Sequence, residues 1–188
     1  QKIAAAAPKR YSPAKPIASA RLVRKSLGSP AIAMPDRSPF TSAAKTGTPA
    51  VVTPGCLDMV NFYAPDSVPD RFKGRRFYQH NPQVTLMRTN AQENLELGKI
   101  LAQKLNASLG PVTVLFPRKA ISVISAPGQS FHDPEADCAL FDTLKQNLRS
   151  DIPLMEMDAE INDPAFAERC ARTLIGLVRS GAGKKSVG

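Results

Sequence analysis

The sequence lacks the features that identify membrane, disulfide-rich and zinc-ribbon proteins. No apolar run approaches the eighteen or so residues that a membrane-spanning helix needs, so we expect no membrane partner. The three cysteines, Cys56, Cys138 and Cys170, form no C-x-x-C pair, which excludes a disulfide scaffold and a cysteine zinc ribbon. The two histidines, His80 and His132, are too far apart for a shared metal, and no metal is predicted. We expect a cytoplasmic protein, because thiols stay reduced there.

The motifs of common nucleotide-binding and hydrolase sites are also missing. The chain contains no G-x-x-x-x-G-K-[ST], no G-x-G-x-x-G and no G-x-S-x-G. Residues 181–186 imitate the end of a phosphate-binding loop, but no strand precedes them. None of the cysteines has a neighbouring base that would make it a nucleophile. We therefore expect no cofactor to bind this chain by itself.

Acidic residues are nearly absent from the first 46 residues. This segment holds nine Lys or Arg against one acid, whereas residues 47–188 hold sixteen basic and fifteen acidic residues. With eleven alanines and six prolines it cannot bury enough apolar surface to become ordered, so we predict a disordered basic tail. Nucleic acid is expected to bind only through this tail, because the remainder is almost neutral. Residues 17–27 also have the character of a transit peptide, although prolines on both sides favour a solvated linker.

From Gly47 onward the sequence alternates strand-like and helix-like segments. Asn90 followed by Glu93 indicates a helix start, and Asp-Pro pairs at 133–134 and 163–164 indicate two more. The predicted strands are 50–53, 76–79, 112–116 and 152–157, and the predicted helices are 91–107 and those starting at 133 and 163. The residues expected to face the core from the last helix are Phe166, Ala167, Cys170, Ala171, Leu174, Ile175 and Val178.

This alternation predicts an α/β fold with an open, mainly parallel sheet and helices on both faces, comparable to half of a Rossmann fold. The predicted domain spans residues 47–180, between the tail 1–46 and a flexible tail at 181–188. Ligands bind to such sheets at the carboxyl ends of the strands. The loops to be considered are therefore those after Thr53, Gln79, Phe116 and Met157.

Four motifs resemble a known family. They are PGCLDMVNF (54–62), HNPQVTLMRT (80–89), SAPGQSFHDPEAD (125–137) and INDPAFA (161–167), and in this order they resemble the uncharacterised family of Tm-type ATP-binding proteins. The resemblance implies two α/β domains, of which the first is associated with ATP and only the second, C-terminal one is matched here. Residues 1–46 do not resemble the family, so we expect a truncated copy joined to unrelated sequence. Ala120, Ser125 and Ser130 depart from the family pattern.

Seven polar residues are candidates for ligand binding, and no catalytic residue can be assigned. The candidates are Asp58, Asn61, His80, Asn81, Thr85, Arg88 and Asn162. An arginine offers a planar donor fork to a phosphate or carboxylate, and a histidine can move protons near neutral pH. The alternatives are structural: Asp58 would cap a turn, Arg88 would pair with surface acids, and His80 would bond to backbone carbonyls.

Three functions remain open at this stage. The first is a truncated domain without catalytic activity of its own, and ATP is implied only for full-length members of the family. The second is a ligand-binding or nucleotide-dependent enzyme module that is completed by a partner domain. The third is a nucleic-acid-binding protein that uses its basic tail. The partners to be expected are a second copy of the chain or the family's first domain.

Overall fold

The computed structural model describes residues 39–182, which form four α-helices, six strands and three short 3₁₀-helices. In chain order the α-helices and strands are α1 (Pro39–Thr46), β1 (Ala50–Val52), β2 (Met59–Phe62), β3 (Phe77–Asn81), β4 (Val84–Arg88), α2 (Ala91–Asn106), β5 (Val112–Pro117), α3 (Pro134–Asn147), β6 (Leu154–Met157) and α4 (Pro164–Ala182). The predicted tails largely fall in residues 1–38 and 183–188, which lie outside the described part.

A parallel sheet with helices on both faces confirms the predicted α/β class. Its strand order is β1-β5-β6, with Val52 beside Val114 and Val114 beside Leu154. Strands β1 and β5 alternate their side chains between two apolar clusters. Helices α2 and α3 cover one face, where Val114 is buried, and α4 covers the other, where Leu115 is buried against Phe166.

The helix-start signals in the sequence act as predicted. The Asn90 side chain accepts a hydrogen bond from the Glu93 amide, and the Glu93 carboxylate accepts one from the Asn90 amide, which makes a complete capping box. Asp133 accepts a hydrogen bond from the Ala136 amide, with Pro134 as the first residue of α3. These local bonds satisfy amides that have no partner inside the helix.

A second, antiparallel sheet of order β2-β4-β3 was not predicted. It lies in the connection between β1 and α2, where the sequence suggested one weak strand and loops. Both faces of β4 are covered, because Leu86, Met87 and Arg88 are all buried. The polar residues of β4 suggested a loop because buried polar side chains are uncommon. This sheet moves the predicted 80–88 cluster from a loop onto two paired strands.

Helix α1 precedes Gly47, so the described fold begins upstream of the position where the sequence analysis placed the start of the domain. Ala44 in α1 is buried, and its carbonyl oxygen accepts a hydrogen bond from the Leu109 amide at 3.0 Å. Gly47 has a φ of 68°, and a Cβ on Gly110 would lie only 2.1 Å from its carbonyl oxygen. The segment therefore packs against the start of β5. At the other end, α4 continues to Ala182, past the predicted boundary at residue 180.

Helix α4 is covered by the sheet over only part of its apolar surface. Phe166 is buried and Cys170 half-buried, as predicted. The prediction of a core position is wrong for the remaining five residues, which are exposed: Ala167, Ala171, Leu174, Ile175 and Val178. An amphipathic pattern shows that a helix has an apolar side, but it does not show how much of that side a neighbour covers. None of the helices between Pro39 and Ala182 is both long and apolar enough to cross a lipid bilayer.

Candidate functional site

The loops after β1 and β5 meet at the carboxyl edge of the parallel sheet. The Cys56 amide donates to the carbonyl oxygen of Ile121 at 2.9 Å, and the Ser122 hydroxyl donates to Oδ2 of Asp58 at 2.6 Å. Asp58 is fully buried. Its other carboxylate oxygen, Oδ1, has no hydrogen-bond partner among the described residues. The predicted loop thus presents its carboxylate to the protein interior rather than to open solvent.

Arg88, at the end of β4, reaches the same buried region from the antiparallel sheet. Its Nε donates to the carbonyl oxygen of Phe131 at 2.8 Å. Its Nη1 donates to the carbonyl oxygen of Asp58 at 3.3 Å and to the hydroxyl of Thr89 at 3.4 Å. Arg88 and Asp58, two of the seven candidates, are therefore in contact, but through the Asp58 backbone.

The remaining donors of Arg88 form hydrogen bonds with acceptors at the N-terminal end of α3. Nη2 donates to the carbonyl oxygen of Asp133 at 3.2 Å and to the carboxylate of Asp137 at 2.6 Å. A guanidinium has five N–H groups, and these five contacts match that number. We call Arg88, with its acceptors on Asp58, Phe131, Asp133 and Asp137, the Arg88 cluster. It joins β4, the loop after β1 and the start of α3.

The carboxylates near Arg88 have shifted pKa values. Burial raises the pKa of Asp58, while the Ser122 hydrogen bond and the Arg88 charge oppose that rise. Burial also raises the pKa of Asp137, against the lowering effect of its ion pair with Arg88. A buried carboxylate is costly to ionise, so both groups hold a proton more readily than exposed acids.

A second arginine supports the same strand. Arg75 makes a two-pronged ion pair with Glu93 at 2.9 and 2.7 Å, and its Nη2 also donates to the carbonyl oxygen of Arg88 at 2.7 Å. Glu93 is thus shared between the capping box of α2 and Arg75. These contacts place the end of β4 between two helices.

The other predicted site residues are not gathered at this point. His80 and Asn81 are exposed on β3, where Asn81 Oδ1 accepts a hydrogen bond from the Gln83 amide at 2.9 Å in the turn to β4. Asn61 is half-buried on β2, and Asn162 is exposed on the loop before α4. Whether any of them binds a ligand stays a prediction.

Thr85 is buried on β4, and its hydroxyl has no hydrogen-bond partner among the described residues. It lies three residues before Arg88, so the two side chains leave the strand on opposite faces. Thr85 and Arg88 therefore do not present their side chains to the same side of β4.

Two residues that contact Arg88 or Asp58 escaped the sequence reasoning. Asp137 lies at the end of the third resembling motif but was not among the candidates, and Ser122 lies outside all four motifs. Their sequence separations from Arg88 and Asp58 are too large for any local pattern to connect them. The one available signal was that both Arg88 and Asp137 fall within motifs.

Cys56 and Cys170 are poorly suited to act as nucleophiles. Cys56 adopts a left-handed backbone with a φ of 57°, and burial, followed by the Asp58 charge, raises its pKa. Burial raises the pKa of Cys170 too, and all three cysteines of the chain are free thiols. Raised pKa values disfavour the nucleophilic thiolate. Between residues 39 and 182 no three His, Cys, Asp or Glu side chains stand close enough to hold a metal ion.

A shallow groove lies away from the Arg88 cluster. It runs between α1, β1 and α2 and is lined by none of the seven predicted ligand-binding residues. Its floor includes Val52, Leu105 and Val112, which are apolar. The groove is therefore suited to an apolar side chain rather than to a charged ligand.

Comparison with known proteins gives one family. The family model described as "Uncharacterised protein family (UPF0261) C-terminal domain" matches residues 19–178. The matched region includes residues 19–46, so the family's sequence extends into the segment that the sequence analysis assigned to an unrelated tail.

Individual relatives agree with this match. The UPF0261 protein of Clostridium tetani is 44% identical over 138 residues, covering 73% of this chain and 34% of the relative. UPF0261 protein RA0729 of Rhizobium meliloti is 46% identical over 131 residues, covering 69% of this chain and 33% of the relative. The ToMV resistance protein Tm-1(GCR237) of Solanum lycopersicum is 37% identical over 134 residues, covering 70% of this chain and 18% of that protein. The chain thus spans about a third of the length of these bacterial relatives.

Proposed function

The chain belongs to the uncharacterised protein family UPF0261, as its C-terminal domain, and from this premise we propose that it is a non-catalytic domain that works only together with the rest of a family protein. In this proposal the chain alone binds no nucleotide. The ATP association implied by the family resemblance belongs to sequence outside the chain. The free thiols fit a reducing compartment, and we place the protein in the cytoplasm.

The observation that carries this proposal is the state of Arg88. It is the predicted residue best suited to hold a phosphate, yet it is 3% exposed and donates to five protein acceptors. A phosphate could bind Arg88 only if several of these hydrogen bonds broke, including the one to the Asp137 carboxylate. Breaking a buried ion pair costs about 3–5 kcal/mol, which a weak ligand contact does not offset. The Arg88 cluster therefore supports a structural role.

The proposal is tested by calorimetric titration of the full chain with magnesium ATP. We expect no saturable heat, and no release of phosphate on prolonged incubation. The Arg88→Lys variant serves as a control, because it keeps the charge but loses the planar fork. Stoichiometric micromolar binding by the unaltered chain, lost in that variant, would overturn the proposal and make Arg88 a ligand-binding residue.

One observation favours a second function, in which this domain supplies half of a site completed by a partner domain. The buried Oδ1 atom of Asp58 lacks a hydrogen-bond partner among the described residues and lies at the sheet edge where such folds bind ligands. Buried polar atoms usually have partners, and because Asp58 is closed to solvent in the chain alone, this function requires that the partner domain open the site so that a ligand hydroxyl can donate to Oδ1. This function requires a ligand that binds the assembled protein and is weakened at least tenfold by Asp58→Ala. The Asp142→Ala variant, at an exposed position on α3 outside the seven candidates, is the comparison.

A further inference from the structure

The parallel sheet is open along β1. Within the described residues β1 pairs only with β5, so its other edge has no neighbouring strand. The Ala50 amide donates to the carbonyl oxygen of Pro111 on the β5 side at 3.0 Å. Amide groups alternate in direction along a strand, so the Val51 amide points to the open edge. Natural proteins seldom leave such an edge uncovered, because it pairs readily with another strand.

The apolar surface of α4 is exposed on this same side. Helix α4 packs on β1 and β5 through Phe166 and Cys170. The exposed residues of its apolar flank are Ala167, Ala171, Leu174, Ile175 and Val178. Leu174 is 38% exposed, and Ile175 and Val178 are each 50% exposed. Together they form a continuous strip at positions separated by three and four residues.

The handedness of the fold places this strip beside the open edge. Helix α4 follows β6 at the far end of the sheet yet contacts β1 and β5, so it runs back across the sheet toward β1. Each residue of an α-helix is rotated by a little more than a quarter turn from the one before it. For a right-handed helix that runs antiparallel to the strands on this face, the residue after a sheet-facing one therefore points toward the β1 side. Phe166 and Cys170 face the sheet, so Ala167 and Ala171 turn toward the open edge, and Leu174 and Val178 continue the same row.

The groove between α1, β1 and α2 lies on the opposite face of the sheet, also next to β1. The open strand edge is thus flanked by apolar surface on both faces, the groove on one and the α4 strip on the other. We call these three parts together the β1-side surface. An α/β sheet that continues past β1 would cover all three, since its next strand pairs with the edge and its helices cover both faces.

We propose that the β1-side surface binds a parallel β-strand and its apolar helix from the part of a UPF0261 protein that lies outside this chain. The inference rests on the proposed function, because it names the partner that the domain needs. The helix covers the α4 strip, and the strand hydrogen-bonds to the Val51 amide. The relatives supply the required sequence, since about two thirds of each bacterial relative lies outside the matched region.

A second copy of the chain fits less well than this partner. Two copies related by a two-fold axis would pair β1 with β1 and α4 with α4. The two copies of β1 would then run antiparallel, and each is only three residues long, since β1 spans Ala50–Val52. A strand from the remaining family sequence can instead run parallel to β1 and continue the parallel sheet, and its helices can fill the groove as well.

The test uses the full chain and a defined probe. The probe is the Clostridium tetani relative from which the 138 matched residues are deleted. The two proteins are co-expressed, and the complex is measured by affinity capture followed by light scattering. We expect a one-to-one complex, in which hydrogen exchange at the Val51 amide is slowed at least tenfold relative to the chain alone.

Two matched variants locate the contact on α4. The triple substitution Leu174→Ser, Ile175→Ser and Val178→Ser should lower the affinity for the probe at least a hundredfold. Its thermal midpoint should stay within a few degrees of the unaltered chain, because the three side chains are exposed. The control triple Arg169→Ser, Arg172→Ser and Arg179→Ser, on the charged side of the same helix, should bind normally.

Three results would overturn the inference: no complex with the probe, a complex that the Leu174 triple leaves intact, or a homodimer that this triple abolishes. None of these results requires the chain to bind ATP, so the part of the proposed function that denies nucleotide binding and catalysis to the isolated chain would survive any of them. Conversely, ATP binding by the isolated chain would refute the proposed function. The affinity-capture experiment with the probe would still decide whether the β1-side surface binds the rest of a family protein.

Discussion

Replacing Arg88 with methionine should destabilise the domain strongly. The change removes five hydrogen-bond donors from a buried position and leaves carbonyl oxygens of Asp58, Phe131 and Asp133 without them. Removing one partner of a buried ion pair costs about 3–5 kcal/mol. Asp137 is 20% exposed and can recruit water, which favours the lower half of that range.

For a protein of this size each kcal/mol shifts the thermal midpoint by roughly 2–4 °C, so we expect Arg88→Met to lower it by roughly 6–15 °C. The measurement is equilibrium unfolding in urea together with a thermal scan. Arg172→Met is the matched control, because Arg172 is 75% exposed and pairs with Glu168 only on the surface of α4. Such a pair contributes about 0.5 kcal/mol or less. An Arg88→Met loss no larger than that of the control would refute the structural role of the Arg88 cluster.

Two further predictions concern packing and pH. Gly98→Ala should destabilise the protein by about 1–3 kcal/mol despite its better helix propensity, because the new Cβ would lie 2.9 Å from the Leu140 carbonyl oxygen. In Gly176→Ala, on α4, the new Cβ meets no atom within 4 Å, and this substitution should instead stabilise the protein by about 0.5–1 kcal/mol. The two substitutions should therefore change the free energy of unfolding in opposite directions. Because burial raises the pKa of Asp58 above its usual 3.8, folded protein binds that proton more tightly and loses stability as the pH rises through the raised pKa. The free energy of unfolding, measured over a pH series, should therefore be higher for Asp58→Asn than for the unaltered chain at neutral pH, and the difference should shrink toward pH 4. A difference that grows toward pH 4 would contradict the burial argument.

The elements that the sequence predicted correctly are those with local signals. The capping box at Asn90 and Glu93 and the Asp133–Pro134 pair act within a few residues, so their positions follow from sequence alone. The apolar strand β5 follows Pro111 and ends at Pro117, which is again a local pattern. These signals were sufficient to predict the α/β class and a parallel sheet.

The antiparallel sheet and the Arg88 cluster depend on contacts between distant residues. Strand β2 is four residues long, and it becomes a strand only because Val60 lies beside Met87 on β4. Arg88 meets Asp137 on another element, 49 positions further along the chain. The sequence around a polar residue on a short strand does not reveal a buried hydrogen-bond partner on a distant element. Arg88 was therefore expected in a ligand-binding loop.

The central claim is that Arg88 is a buried structural residue of a domain that binds no nucleotide by itself. Nuclear magnetic resonance of the Arg88 Nε–H group tests this claim most directly. Its Nε donates to the Phe131 carbonyl oxygen at 2.8 Å inside the protein, whereas the Arg172 Nε donates to Glu168 on the surface. We expect the Arg88 proton to exchange with solvent far more slowly than that of Arg172, and to keep its chemical shift when magnesium ATP is added. Exchange as fast as that of Arg172, or a saturable shift on addition of magnesium ATP, would contradict the account.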